Sequence, residues 1–168
     1  SAETKWVLIV NINPGGPAGG SATQYFVGDF NGKEFVSSQS KTQWMDYGKD
    51  NYAGVTWSNT PDNRRILIGW MNNWEYAGEK PCVDWSGAAT FPRELGLVKE
   101  LDTYLLTSEP VEEIQNLHGE KVEFANLKIE GTMLISEKIA FAKSPVDIKL
   151  KFDISDKTKM GFPPKYGI

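Results

Sequence analysis

Apolar positions along the chain recur in short alternating runs rich in Val, Ile, Trp, Tyr and Phe, not in helical stripes, and turn-forming residues separate them. "KWVLIVNI", Lys5 to Ile12, reads as a strand, while the following "NPGGPAGGSA" holds too many glycines and prolines to join a ladder. "TQYFVGDFNGKEFVSS" reads as a hairpin in which Asn31-Gly32 supplies the positive φ angles a tight turn needs between Phe30 and Phe35. "NYAGVTWSNTPDNRRILIGWM" repeats the plan, with a strand around Ala53 to Trp57, a Pro-Asp-Asn turn and a strand from Arg65 to Met71. "GAATFPRELGLVKELDTYLLTSEP" continues as further strands, with Pro92 placed at an edge or break.

The pattern changes at "SEPVEEIQNLHGEK". Ser108 as an N-cap, Pro110 near the first turn, and Val111, Ile114 and Leu117 at helical spacing predict a short connecting helix over 108–120. Alternation then returns through residues 121–168, clearest where Val146, Ile148, Leu150 and Phe152 interleave with Asp147, Lys149 and Lys151, as in a sandwich strand with one wet face. The chain therefore reads as all-β. Groups of about four short strands suggest propeller blades, although no internal self-similarity proves a repeat.

Composition narrows the chemistry. A net charge of −4 over 168 residues, with Lys and Arg scattered, offers no basic face for nucleic acid. One cysteine, Cys82, excludes an internal disulfide and a zinc site of several thiolates, and one histidine, His118, disfavours a Ser-His-Asp site. No run approaches the roughly 20 apolar residues of a membrane-spanning helix. The opening "SAETKWVLIV" has neither a basic n-region nor a long apolar h-region, so no targeting signal is read in this chain. "GWMNNWEYAGEKPCVDWSGAATFPREL" stands apart: rings beside paired amides suit neither an aliphatic core strand nor a disordered linker, but do suit the wall of a polar pocket.

Four ordered segments, "WVLIVNINPGGPAGGSATQYFVGDFNG", "MDYGKDNYAGVTW", "RRILIGWMNNWEYA" and "WSGAATFPRELGL", resemble glycoside hydrolase family 32, the levanases, inulinases and invertases that cut fructosyl bonds. The resemblance implies the last blades of a five-bladed β-propeller over residues 1–107, a connecting helix or linker over 108–120, and the start of a β-sandwich over 121–168. It also implies a retaining hydrolysis of levan, inulin or sucrose without metal or organic cofactor, in a secreted or periplasmic parent. The family's Trp-Met-Asn-Asp-Pro-Asn-Gly, Arg-Asp-Pro and Glu-Cys motifs carry its catalytic carboxylates, and none occurs here. In "WMNNW", Asn73 stands where the nucleophile would be, and an amide cannot attack as a carboxylate does. No catalytic residue is therefore assigned. The chain is expected to be an inactive C-terminal fragment that pairs with missing N-terminal blades or self-associates.

Binding residues remain to be weighed. Trp74 and Tyr76 can stack on a sugar ring and Asn72 and Asn73 can bond its hydroxyls, while the resemblance to plant enzymes of the family matches Asp46 and Lys49 to an aspartate and lysine near the sugar. "GKDNYA" has an additional residue before its Tyr-Ala, which bears on where Lys49 points. Among the carboxylates, Asp46, Asp50 and Glu75 are the nearest to a catalytic pair, but solvated loop positions are the better reading for most of them, so no catalytic dyad is named. Alternation along "ILIGWMNNW" places Ile66, Ile68 and Trp70 on a buried face. Arg93 reads as a clamp at a strand end; "NPGGPAGGSA" lacks the Gly-Lys-Ser/Thr ending of a phosphate loop, and the resemblance implies that it is merely a connection. The rival readings are a non-catalytic carbohydrate-binding or scaffold module, and a related five-bladed glycosidase for arabinose or xylose.

Overall fold

A computed structural model describes residues 3–79, 84–127, 134 and 145–151. The chain divides into two compact units, Ser1–Asn116 and Leu117–Ile168.

The first unit is built from two antiparallel sheets. One joins β1 (Trp6–Ile12), β2 (Ala22–Phe30) and β3 (Phe35–Ser37) in that order, and β4 (Gln43–Trp44) also pairs with β2. The other runs β5 (Tyr52–Thr56), β6 (Arg65–Met71), β8 (Arg93–Glu100) and β9 (Thr103–Pro110), with β7 (Ala88–Ala89) on β6. The β2–β3 turn follows from its residues. The Asn31 carboxamide oxygen accepts the backbone N–H groups of Lys33 and Glu34, each at 2.9 Å, and Gly32 takes a φ of 91°. That closure sets Phe30 opposite Phe35. Gly28, farther along β2, lies directly against the Val36 backbone, where a Cβ would have no room.

The most buried apolar side chains are Val27 and Leu67, both fully enclosed. The burial along β6 differs from the alternation reading: Leu67 and Gly69 are buried, whereas Ile66, Ile68 and Trp70 are half-buried. Both faces of β6 are at least partly covered, with Leu67 and Gly69 buried on one and Ile66, Ile68 and Trp70 half-buried on the other, so alternation alone does not reveal the deeper one. Gly54 on β5 makes the room for Leu67, whose Cδ1 lies 3.3 Å from where a Gly54 Cβ would be.

The seam between the sheets is polar. Asn11 of β1 accepts the Thr23 hydroxyl at 2.8 Å and the Gly54 N–H at 3.3 Å, and the same Thr23 hydroxyl lies 2.9 Å from the Asn51 carbonyl. Thr23 and Asn51 are both buried, so these bonds replace water rather than compete with it.

Two expectations change. Ser108 and Pro110 do not open a helix: β9 continues through Pro110, pairing Ser108 with Leu95, and only a 3-10 helix forms, at Glu112–Leu117. The pairing partner on β8 outweighs the local N-cap signal. Arg64 ties this turn down, reaching Glu113 at 2.6 and 3.2 Å and pairing with Asp62. In the second unit, residues 145–151 form no strand, and Val146, Ile148 and Leu150 are exposed. Phe152 and most of the alternating run before it lie outside the described residues, as does Cys82. His118 there pairs with Asp147 at 2.9 Å. Among the described residues no helix is long and apolar enough to cross a membrane.

Candidate functional site

The register brings three loops to one end of the sheets. β1 ends at Ile12 opposite the start of β2 at Ala22, and β5 begins at Tyr52 opposite Trp70 near the end of β6. The β1–β2 loop, the β4–β5 loop and the segment after β6 therefore meet, and they carry the glycine-rich run, Asp46 to Asn51, and Asn72 to Glu79.

Asn73 sits where they meet and is fully buried. Its carboxamide oxygen accepts the backbone N–H of Ser21 at 3.0 Å and of Glu75 at 2.9 Å. Its amide nitrogen faces the carbonyls of Gly19 and Ser21, each at 3.2 Å, and Lys49 at 2.6 Å. The Asn73 carbonyl also accepts the Tyr76 and Ala77 N–H groups, which starts the short 3-10 helix Ala77–Glu79. Every polar atom of this residue's amide is used inside the chain. Gly20, at a φ of 63°, is what lets the loop approach: a Cβ there would overlap the Asn73 carboxamide.

Asn72 is fully buried as well. Its oxygen accepts the Asn73 N–H at 3.0 Å, while its Nδ2 has no hydrogen-bond partner among the described residues. That Nδ2 and the Trp70 Nε1 both crowd the space a Cβ would take at Gly87, whose φ is 79°.

Around this buried centre stands a more exposed rim. Trp74 is 60% exposed; its N–H donates to the Ser21 hydroxyl at 3.1 Å, and its ring leans on Trp70 with centroids 5.0 Å apart. Trp70 in turn lies 6.4 Å from the Tyr52 ring. Lys49 and Glu75 form an ion pair over Gly19. Asp46 bends back on its own loop, accepting the Gly48 N–H at 2.7 Å, and its second oxygen lies 3.9 Å from Arg93 at the start of β8. The Tyr76 hydroxyl donates to Asp50. This hydrogen bond, then burial, then the charges of Asp50 and Glu75 push the phenol up to about 12.

The structure thus joins Asn72 and Lys49 to Asn73, links Asn73 and Trp74 through Ser21, and turns the Asp46 carboxylate toward Arg93. Three participants were not singled out from the sequence. Ser21 and the pair Gly19-Gly20 belong to the loop read as a mere connection; the signal available for them was glycine density beside a polar, aromatic neighbour. Asp46, Asp50 and Glu75 each have a partner within the chain, so none is presented as an uncommitted acid. Among the described residues no group of three or more His, Cys, Asp or Glu is placed to hold a metal ion.

A pH dependence follows from Tyr76. In the folded chain its pKa is raised above the ordinary tyrosine value, so its contribution to stability is complete below about pH 10 and is lost as pH rises through about 12. Tyr104, hydrogen-bonded to Glu3, is raised as well, so tyrosinate absorbance on titration is expected to show a late-ionising fraction that Tyr76→Phe reduces without abolishing; a titration indifferent to the substitution contradicts the Tyr76–Asp50 bond.

Residues 1–110 match the model of the "Glycosyl hydrolases family 32 N-terminal domain". The levanase of Bacillus subtilis (strain 168) is 41% identical over 131 residues, which cover 76% of this chain and 19% of that protein. The extracellular exo-inulinase of Meyerozyma guilliermondii is 39% identical over 130 residues, covering 74% of this chain and 24% of that protein. Among solved structures, the fructofuranosidase of Schwanniomyces occidentalis complexed with fructose superposes with a TM-score of 0.58 at 39% identity, covering 66% of this chain and 23% of that one. The exo-inulinase of Aspergillus awamori gives a TM-score of 0.59 at 38% identity, covering 64% of this chain and 23% of that one. The chain spans 19% and 24% of the length of these two curated relatives.

Proposed function

The chain belongs to glycosyl hydrolase family 32, and on that premise we propose that it forms part of the fructosyl-binding wall of a secreted, retaining β-fructosidase acting on levan, inulin or sucrose. Trp74 carries this reading. It is a large ring held out into solvent, propped from behind by Trp70 and anchored through its backbone to Ser21. An exposed ring fixed in this way offers an apolar face for the C–H surface of a sugar, while neighbouring polar groups meet its hydroxyls. Lys49 and, at the edge, Asp46 are the polar groups assigned to that role; Asn72 and Asn73 serve it from beneath, as support for the wall.

Catalysis belongs elsewhere in the polypeptide. A retaining glycosidase needs an ionised nucleophile and a protonated acid about 5 Å apart. Here each carboxylate of the rim is held by a cation, a phenol or a backbone N–H. The reading therefore makes this chain the C-terminal part of a longer enzyme, with the last blades of a five-bladed propeller to residue 107, a connection over 108–120 and the start of a sandwich over 121–168. Secretion is supported by relatives named extracellular. β1 is the outer strand of its sheet and exposes Trp6 and Leu8, which suits burial against preceding blades or a second copy.

The test is fructose release from levan, inulin and sucrose by the purified chain, with intact mass recorded on the same sample. No release is expected, with activity appearing when the preceding segment of the polypeptide is supplied. Hydrolysis by the chain alone, free of larger species, overturns the assignment of the chemistry to another part of the enzyme.

A further inference from the structure

We infer that Asn73 is the positioning residue of this wall: one buried carboxamide sets the places of Trp74, Lys49 and Glu75 together. The inference rests on the reading of the wall as a fructosyl site.

The argument starts from what does not hold the rim. Lys49 and Glu75 are each nearly half exposed, and an ion pair so placed is screened by water and holds too weakly to order two long side chains on two different loops. Their backbones are another matter. The Lys49 carbonyl and the Glu75 N–H both bond the Asn73 carboxamide, so the two ends of the ion pair are fixed to the same planar group. Trp74 lies between Asn73 and Glu75 in the chain, and its N–H is held by the hydroxyl of Ser21. Ser21 itself is held through both its N–H and its carbonyl by Asn73. Three loops thus share one reference point, which is shielded from water.

Only a carboxamide fits. The group must accept on one side, from two N–H groups, and donate on the other, toward three carbonyls. Aspartate keeps the acceptor and sets a negative oxygen against those carbonyls. Protonation of that aspartate restores one donor, and burial beside carbonyls raises the pKa at which this happens. Asn73→Asp therefore carries its own rescue.

The experiment uses the complete enzyme that contains this chain. Asn73→Asp at neutral pH is expected to raise KM for inulin about tenfold, from the loss of roughly 1.4 kcal/mol of binding, with kcat changed less. The KM ratio to wild type is expected to fall back as pH is lowered through the range where buried carboxylic acids take up a proton. In parallel, 19F NMR with 5-fluorotryptophan, the Trp74 resonance assigned by Trp74→Phe, is expected to show that resonance displaced at neutral pH and returning with acid, while Trp57 stays in place. A KM and a Trp74 resonance that both match wild type overturn the inference. So does a defect that lowering the pH does not relieve. If Asn73→Asp fails to fold, Asn73→Ser decides by the same KM and resonance readouts, because its smaller side chain admits water to the carbonyls without adding charge. Trp74→Ala separates the two levels: if it leaves KM unchanged, the fructosyl-wall reading fails, whereas a raised KM there with a silent Asn73→Asp refutes the positioning role alone.

Discussion

Leu67→Ala is expected to lower the unfolding free energy by about 3 kcal/mol, within the range for deletion of a fully buried leucine. Leu67 is completely enclosed on a strand with neighbours on both sides, and Gly54 has given up its own side chain to make room for it. With the side chain fully enclosed, a cavity term adds to the lost transfer energy. Val55, on the adjacent strand, is 65% exposed, and Val55→Ala is expected to change stability by only about 0.5 kcal/mol. Urea titrations of the two variants followed by tryptophan fluorescence make the comparison. Equal midpoints would mean that the sheet is not centred on Leu67.

The same strand shows what could be read from residue order. Arg65 to Met71 is legible because Ile66, Leu67, Ile68 and Trp70 cluster in a short apolar run between a Pro-Asp-Asn turn and paired asparagines, and the strand occupies those residues in the structure. Which of its faces lies deeper is not legible, because both faces carry apolar residues and both are at least partly covered. β4, only Gln43–Trp44, is too short to show any period. Ser108-Glu109-Pro110 looks like a helix start to any local rule, and becomes strand because β8 offers it a ladder partner.

The polar end of the sheets was partly legible for a similar reason. Composition distinguishes amides beside rings, but a carboxamide that serves a sugar and one that serves the backbone are the same residue. Asn73 belongs to the second kind in its contacts, and only the positions of Ser21, Lys49 and Glu75 reveal it. The glycine run is the converse case. Its density was visible, while the need for Gly20 appears only when the neighbour filling its missing side-chain space is known.

Trp74→Ala in the complete enzyme is expected to raise KM for fructan on the order of 30-fold, corresponding to about 2 kcal/mol for loss of an aromatic anchor. The ring is already in place before any ligand arrives: Trp70 supports it from behind and the Ser21 hydroxyl fixes its backbone. Little ordering free energy is then spent on binding, so removal of the ring forfeits nearly its full contact with the sugar. Because stacking acts on the ground state and the transition state alike, kcat should move much less than KM. Stability should hardly change, since the ring is mostly exposed. Trp85 is 72% exposed and tests whether an exposed tryptophan matters as such; Trp85→Ala is expected to leave KM alone. An unaltered KM for folded Trp74→Ala, or an equal rise for Trp85→Ala, would remove Trp74 from the site and with it the observation on which the fructosyl wall is built.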